Sequence, residues 1–252
     1  MQTQPSADPY SPPPTDPPQE VAIRLPQGIP FVTYSILAIT ILVFIVQYLT
    51  QTLLGADIPI ALGAKINQLI RSGEYWRFFS PALLHASIMH IAFNMYALYS
   101  IGPGMERFYG HARFFALYVL AAMGGNILSF LLSPGISVGA STAVFGLVGA
   151  EGVFIFHNRR LFGSRSRGML TNIGMIVAIN LLLGLSPGID NWGHMGGLLT
   201  GLAFAWFAGP VLEVQPIFGG YELVDNRDNQ RAFLVGSIIL IGWVILAASG
   251  LV

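Results

Sequence analysis

The chain contains no cysteine, which removes disulfides and thiolate metal sites from its chemistry. Charge is nearly as scarce. Asp, Glu, Lys and Arg make up 10% of the 252 residues, and twelve cations balance twelve anions. A net charge of zero offers nothing to nucleic acid. The first thirty residues lack an apolar run and carry no cation before Arg24, so they resemble neither a signal peptide nor a transit peptide. They hold nine of the sixteen prolines and show no periodicity. Residues 1–30 therefore read as a disordered, Pro-rich cytoplasmic tail.

The abundant material is apolar. Hydrophobic residues make up 54% of the chain and the mean hydropathy is +0.64, the signature of a polytopic membrane protein. The fold class expected is all-α. Seven apolar spans are predicted near 31–51, 81–102, 112–132, 141–157, 168–185, 193–209 and 232–252. Residues 210–231 read as a cytoplasmic linker before the seventh helix. Several spans are short or rich in glycine, which fits a bundle holding internal water.

Cation placement orients the spans. With the N-terminus in the cytoplasm, Arg24, Arg107, Arg113, Arg159, Arg160, Arg165, Arg167, Arg227 and Arg231 lie inside, and only Lys65, Arg71 and Arg77 lie outside. The outside loop, about 52–80, reads as an interfacial helix followed by a Trp76-Arg77 anchor.

Polar residues inside a membrane are costly, and each is a functional candidate. Ser141 opens a helix running to Asn158, roughly 26 Å at 1.5 Å per residue. A hydrocarbon core is about 30 Å thick. With the arginines after Asn158 in the cytoplasmic headgroups, Ser141 stops short of the outer face. The N–H groups there are unsatisfied and carry the positive end of the helix dipole. The plainer reading of such a serine is an N-cap.

His90 and Asn94 share one face of the second span, and His194 lies in the sixth. Counted from their cytoplasmic ends, His90 and His194 sit about 24 and 22 Å up, close to the height of Ser141. His85 is placed nearer the outer surface, and His111 and His157 at the cytoplasmic edge. Gly197 and Gly201 form a GxxxG pair one turn below His194, which lets helix backbones touch. Contact between spans four and six would bring His194 within reach of Ser141, and Phe145 could stack on the imidazole. In that arrangement His194 takes the Ser141 proton and Ser141 attacks a carbonyl. Donors for the oxyanion are the Ser141 N–H, the Ala140 N–H, the Asn94 amide and His90. Asp190 reads as a helix cap or loop charge rather than a third catalytic member. Glu151 has no clear partner beyond Asn172 or Asn180.

These residues resemble the rhomboid family of intramembrane serine proteases. The similarity runs over about 31–209. It rests on Glu74-Tyr75-Trp76-Arg77, His90-x-x-x-Asn94, Gly102 through Glu106-Arg107, Gly139-Ala140-Ser141 and His194-x-x-Gly197-x-x-x-Gly201. The resemblance implies a six-span catalytic core with one added C-terminal helix at 232–252. It also implies a Ser141–His194 dyad, an oxyanion hole of His90, Asn94 and the Ser141 amide, and a water-filled cavity open to the outside. Single-span transmembrane substrates would be cut within the lipid bilayer without cofactor, metal or ATP. Thr142 stands where the family usually has glycine, and Gly193 where it usually has alanine. The expected setting is a bacterial inner membrane. Two other classes stay open: a rhomboid-like protein that binds membrane proteins without cutting them, and a transporter or channel with a His90, His194 and Glu151 proton relay.

Overall fold

The computed structural model describes residues 23–250. Most of the proline-rich tail read from the sequence lies outside them. The long helices are α1 (Phe31–Leu54), α4 (Ile88–Tyr109), α5 (His111–Leu132), α6 (Ser141–His157), α8 (Arg165–Leu183), α9 (Asn191–Ala208) and α10 (Asn229–Ser249). Short helices α2 (Ile58–Gly63) and α3 (Asn67–Arg71) lie in the first loop, and α7 (Arg159–Phe162) links α6 to α8. The chain is a polytopic helical membrane protein. By length and hydropathy α1, α5, α8 and α10 can each cross a bilayer, and α6 is a shorter apolar helix of 17 residues.

Helices α5, α6 and α9 form the centre. Between them packing replaces the hydrophobic effect, because lipid tails are as apolar as leucine. Close approach requires glycine here. A Cβ on Gly197 would sit 1.9 Å from the Thr142 carbonyl oxygen, and one on Gly201 would sit 2.0 Å from that of Gly146. The α6 and α9 backbones therefore touch along two turns. Helix α10 packs on α5 and α9, where Trp243 Nε1 donates to Thr200 Oγ1 at 2.9 Å. Helix α8 touches chiefly α6 and buries no residue completely.

Two buried charges tie helix ends together. The Glu106 carboxylate, near the end of α4, accepts from Val32 N (3.0 Å), Thr33 N (2.7 Å) and Thr33 Oγ1 (2.6 Å). It thereby caps α1, which has no side-chain cap of its own, with negative charge at the positive dipole end. Lys65 is fully buried and donates to the Ser133 and Gly135 carbonyls, both at 2.8 Å. Asn67 adds bonds to the Phe130 and Ser133 carbonyls, so the first loop caps the C-terminal end of α5.

Two expectations from the sequence do not hold. The second long helix begins at Ile88, not near 81, because Ser87 caps it by accepting from His90 N, and Ser80–Leu83 form a 3₁₀ turn. It continues through Pro103 to Tyr109. Arg77 is no interfacial anchor. Its guanidinium is buried, bonds the Ala64 and Ala61 carbonyls at 2.7 and 2.9 Å, and pairs with Glu74. Trp76 is exposed and donates to the Leu62 carbonyl. The first loop is thus a compact folded unit clasped by Arg77. Residues 210–231, read as a linker, carry two strands. Strands β2 (Leu212–Ile217) and β3 (Gly220–Asp225) form a hairpin, and β1 (Ile23–Arg24) pairs parallel with β3. Arg113 at the start of α5 binds Asp225 and Asn229 Oδ1, which pins the hairpin to the bundle.

Candidate active site

Helix α6 starts without a side-chain cap. Ala140 occupies the cap position, and Ser141 is the first helical residue. The Ser141 hydroxyl therefore makes no capping bond. Instead Ser141 Oγ lies 3.0 Å from His194 Nε2. The contact follows from the backbones, since Gly197 rests against Thr142, the residue after Ser141, one turn below His194. Phe145 stacks flat on the His194 ring, with centroids 4.3 Å apart and planes 9° apart. That stacking fixes the ring, so Nε2 points at the serine.

His194 Nδ1 is buried and has no hydrogen-bond partner among the described residues. Among the described residues no carboxylate bonds it. Asp190 is committed elsewhere: it caps α9 through Gly193 N at 3.0 Å and accepts from Ser129 Oγ. Among the described residues, no carboxylate extends the Ser141–His194 contact into a third member.

Gly139 leads into the serine with φ +130°, a conformation that favours glycine. A Cβ there would lie 2.7 Å from His90 Nε2 and 3.5 Å from Ser141 Oγ. The imidazole of His90 and the serine hydroxyl thus border the same small space. Asn94, one turn along α4, is buried, and its Nδ2 donates back to the His90 carbonyl at 3.0 Å. The N–H of Ser141, at the first position of α6, has no intrahelical acceptor.

Two further residues border the site. The Ala140 N–H, a candidate oxyanion donor, donates to His85 Nε2 at 3.4 Å. His85 is buried, not a surface histidine. It packs edge-on against His90, with centroids 5.0 Å apart, and its backbone is held by Gln47 on α1 through N–H to Oε1 and Nε2 to O bonds. A buried Gln47–His85–Ala140 chain therefore runs from α1 to the loop before Ser141. The spacing of His85 to His90 to Asn94 was visible in the sequence, but nothing there told a loop histidine from a packed one.

Glu151 is half-buried on α6, and among the described residues it bonds neither Asn172 nor Asn180 nor a histidine. Asn172 is exposed, and Asn180 donates to its own helix at Ile176. Among the described residues no three of His, Cys, Asp or Glu gather as a metal-ligand set.

The chain matches the family model described as Rhomboid domain over residues 72–211. It is 43% identical over 175 residues to rhomboid protease GluP of Bacillus subtilis (strain 168), covering 69% of this chain and 34% of that protein. It is 40% identical over 158 residues to RHOMBOID-like protein 4 of Arabidopsis thaliana, covering 62% of this chain and 39% of that one. Against Rhomboid-like protease 1 of Toxoplasma gondii it is 37% identical over 172 residues, 65% of this chain and 57% of that one. The chain thus spans between about a third and three fifths of the length of these curated relatives.

Proposed function

Because the chain belongs to the rhomboid family, we propose that it is an intramembrane serine endopeptidase working through Ser141 and His194. The observation that carries this reading is the 3.0 Å contact of Ser141 Oγ with His194 Nε2 at an uncapped helix start. His194 Nε2 accepts the hydroxyl proton as Oγ attacks the carbonyl carbon of the scissile peptide. The tetrahedral oxygen gains negative charge and is met by the Ser141 N–H and His90, with Asn94 supporting. His194 then returns the proton to the departing amine nitrogen as the C–N bond breaks. Water attacks the resulting ester and loses a proton to His194, which passes it to Ser141 Oγ as the ester C–O bond breaks, freeing the carboxylate product and restoring Ser141.

The substrates are single-span membrane proteins, cut near the outer end of their helix after a small residue. Nine cations against three support a cytoplasmic N-terminus, which turns Ser141 toward the outer side. A peptide bond inside a helix is shielded, so the substrate must unwind locally, and a Gly or Pro near the cut makes that easier.

The test uses purified full-length protein in proteoliposomes with a model transmembrane substrate and a serine-directed fluorophosphonate. The wild type should label at Ser141 and cut an Ala-containing site faster than its Phe variant. Ser141→Ala and His194→Ala should each abolish cleavage, and the double variant should lose no more, because the two act as a unit. Cleavage that persists in Ser141→Ala refutes the dyad. Tight substrate retention without labelling or cutting would instead identify a binding protein, and proton flux that depends on Glu151 a channel.

A further inference from the structure

At the end of the bundle opposite Ser141 lies a cavity of about 940 Å³ between α9 and α10. That volume suits an organic ligand, since such sites run about 300–1,000 Å³. Its two ends differ in chemistry. One end carries Arg227 and Arg231, beside Asp228. The other is walled by Leu234, Val235, Ile238 and Ile239 of α10, with Ala203 and Phe207 of α9 opposite. Leu234 and Ile238 are both 60% exposed, so the slot is open on the side that faces the acyl chains.

The two arginines are already oriented. Arg227 Nη1 donates to the Trp206 and Gly209 carbonyls, both at 2.9 Å, and Arg231 Nε donates to the Phe207 carbonyl at 2.6 Å. Both side chains fold back over the last turn of α9, where cations offset the negative dipole end. Among the described residues nothing accepts from Arg231 Nη1 or Nη2, or from Arg227 Nη2. Asp228 is engaged in capping α10 through Arg231 N at 2.8 Å. Two guanidiniums facing one capped carboxylate leave a net positive mouth.

The dimensions match one leaflet. Arg231 to Ile239 is eight residues, or about 12 Å of helix at 1.5 Å per residue. Half of a hydrocarbon core is about 15 Å. A ligand with a phosphate at the guanidiniums would therefore lay one acyl chain along Leu234, Val235, Ile238 and Ile239 toward the midplane. We infer that this slot binds an anionic phospholipid of the cytoplasmic leaflet, its phosphodiester held by Arg227 and Arg231 and one chain between α9 and α10. Guanidinium forks pair with phosphate oxygens, and basic pockets between helices on the cytoplasmic side favour such headgroups. The bound chain fills the gap beside Phe207 and joins α10 to the helix that carries His194. The inference needs the membrane orientation given above but not the protease chemistry.

The test is native mass spectrometry of the full chain released from mild detergent after equilibration with phosphatidylglycerol or phosphatidylcholine of identical chains. The wild type should retain one phosphatidylglycerol with at least about tenfold preference, an advantage of 1.4 kcal/mol. Arg231→Gln keeps a donor for the Phe207 carbonyl and should reduce that preference to below about threefold. Ile238→Trp, at an exposed slot wall, should expel either lipid. Inorganic phosphate at millimolar concentration should leave the retained lipid in place. Equal retention of the two lipids by the wild type overturns the inference by itself, whatever the variants do. Displacement by inorganic phosphate, or an unchanged preference in Arg231→Gln, overturns it as well.

Discussion

Gly197→Ala isolates the contact on which the Ser141–His194 geometry depends. The added methyl would lie 1.9 Å from the Thr142 carbonyl oxygen, and real Cβ atoms essentially never approach closer than 3.0 Å. The α6 and α9 backbones must therefore part by about 1.1 Å at that point. The obstacle is backbone, so no side chain can swing aside to absorb the change. Thr142 adjoins Ser141, and Gly197 lies one turn from His194. If the displacement reaches the pair undiminished, the 3.0 Å contact stretches past the 3.5 Å limit of a hydrogen bond. Overpacking of this kind costs about 1–3 kcal/mol of stability. A misplacement of about 1 Å in a reacting constellation costs on the order of 10²-fold in rate. The assay is turnover of a model transmembrane substrate per folded molecule, with fluorophosphonate labelling of Ser141 and a thermal midpoint measured on the same sample. Gly174→Ala on α8 is the control, because its Cβ would meet nothing within 4 Å. It should leave turnover unchanged and gain a few tenths to about 1 kcal/mol from helix propensity. Wild-type turnover and labelling in Gly197→Ala would refute the coupling of this helix contact to the site, even if the midpoint fell.

Three further outcomes are expected. His90→Ala should lower kcat by about 10²–10³ with little change in KM, as for loss of one oxyanion donor; Asn94→Ala should cost less, because its amide is already donated to the His90 carbonyl, and steady-state kinetics that leave kcat unchanged remove that residue from the role. His85→Ala leaves the buried Ala140 N–H without its acceptor and should destabilise by about 1–3 kcal/mol in denaturant unfolding; a neutral result would mean the 3.4 Å contact contributes nothing. Burial holds the Lys65 ammonium down to about 8 against an ordinary 10.5, with Asp190 opposing the shift. Between those values the unfolded chain binds the extra proton, so stability should rise with pH from about 8 toward 10. Thermal midpoints across that range should show the rise in the wild type and not in Lys65→Met, and a falling wild-type midpoint would contradict the sign.

Local pattern was enough for much of this molecule. Apolar runs of about twenty residues have no soluble alternative, so the helical membrane class follows from hydropathy. Helix periodicity puts Phe145 one turn from Ser141, and Gly197 and Gly201 below His194, so the approach of two particular helices could be read from small residues at a fixed spacing. Asp190 three residues before Gly193 likewise reads as a cap, and Asp190 Oδ1 does accept from Gly193 N.

Contacts between segments distant in sequence were not legible. The first loop reads as interfacial because it has apolar residues at helical spacing, few charges and the Trp76-Arg77 pair. Only folding buries Arg77 on the carbonyls of Ala61 and Ala64 and sends Lys65 to the end of α5. A histidine three residues before the start of a helix carries no mark of burial, so the Gln47–His85–Ala140 chain emerged only when α1, the loop and α6 came together. Helix α4 starts about seven residues later than hydropathy suggests, because Pro81 to Leu84 extend the apolar run while the cap at Ser87 sets where the helix begins. Hydrophobicity and spacing are properties of a segment and are written in its residues. A hydrogen bond needs two groups within 3.5 Å, and across tens of residues that proximity exists only after the whole bundle has packed.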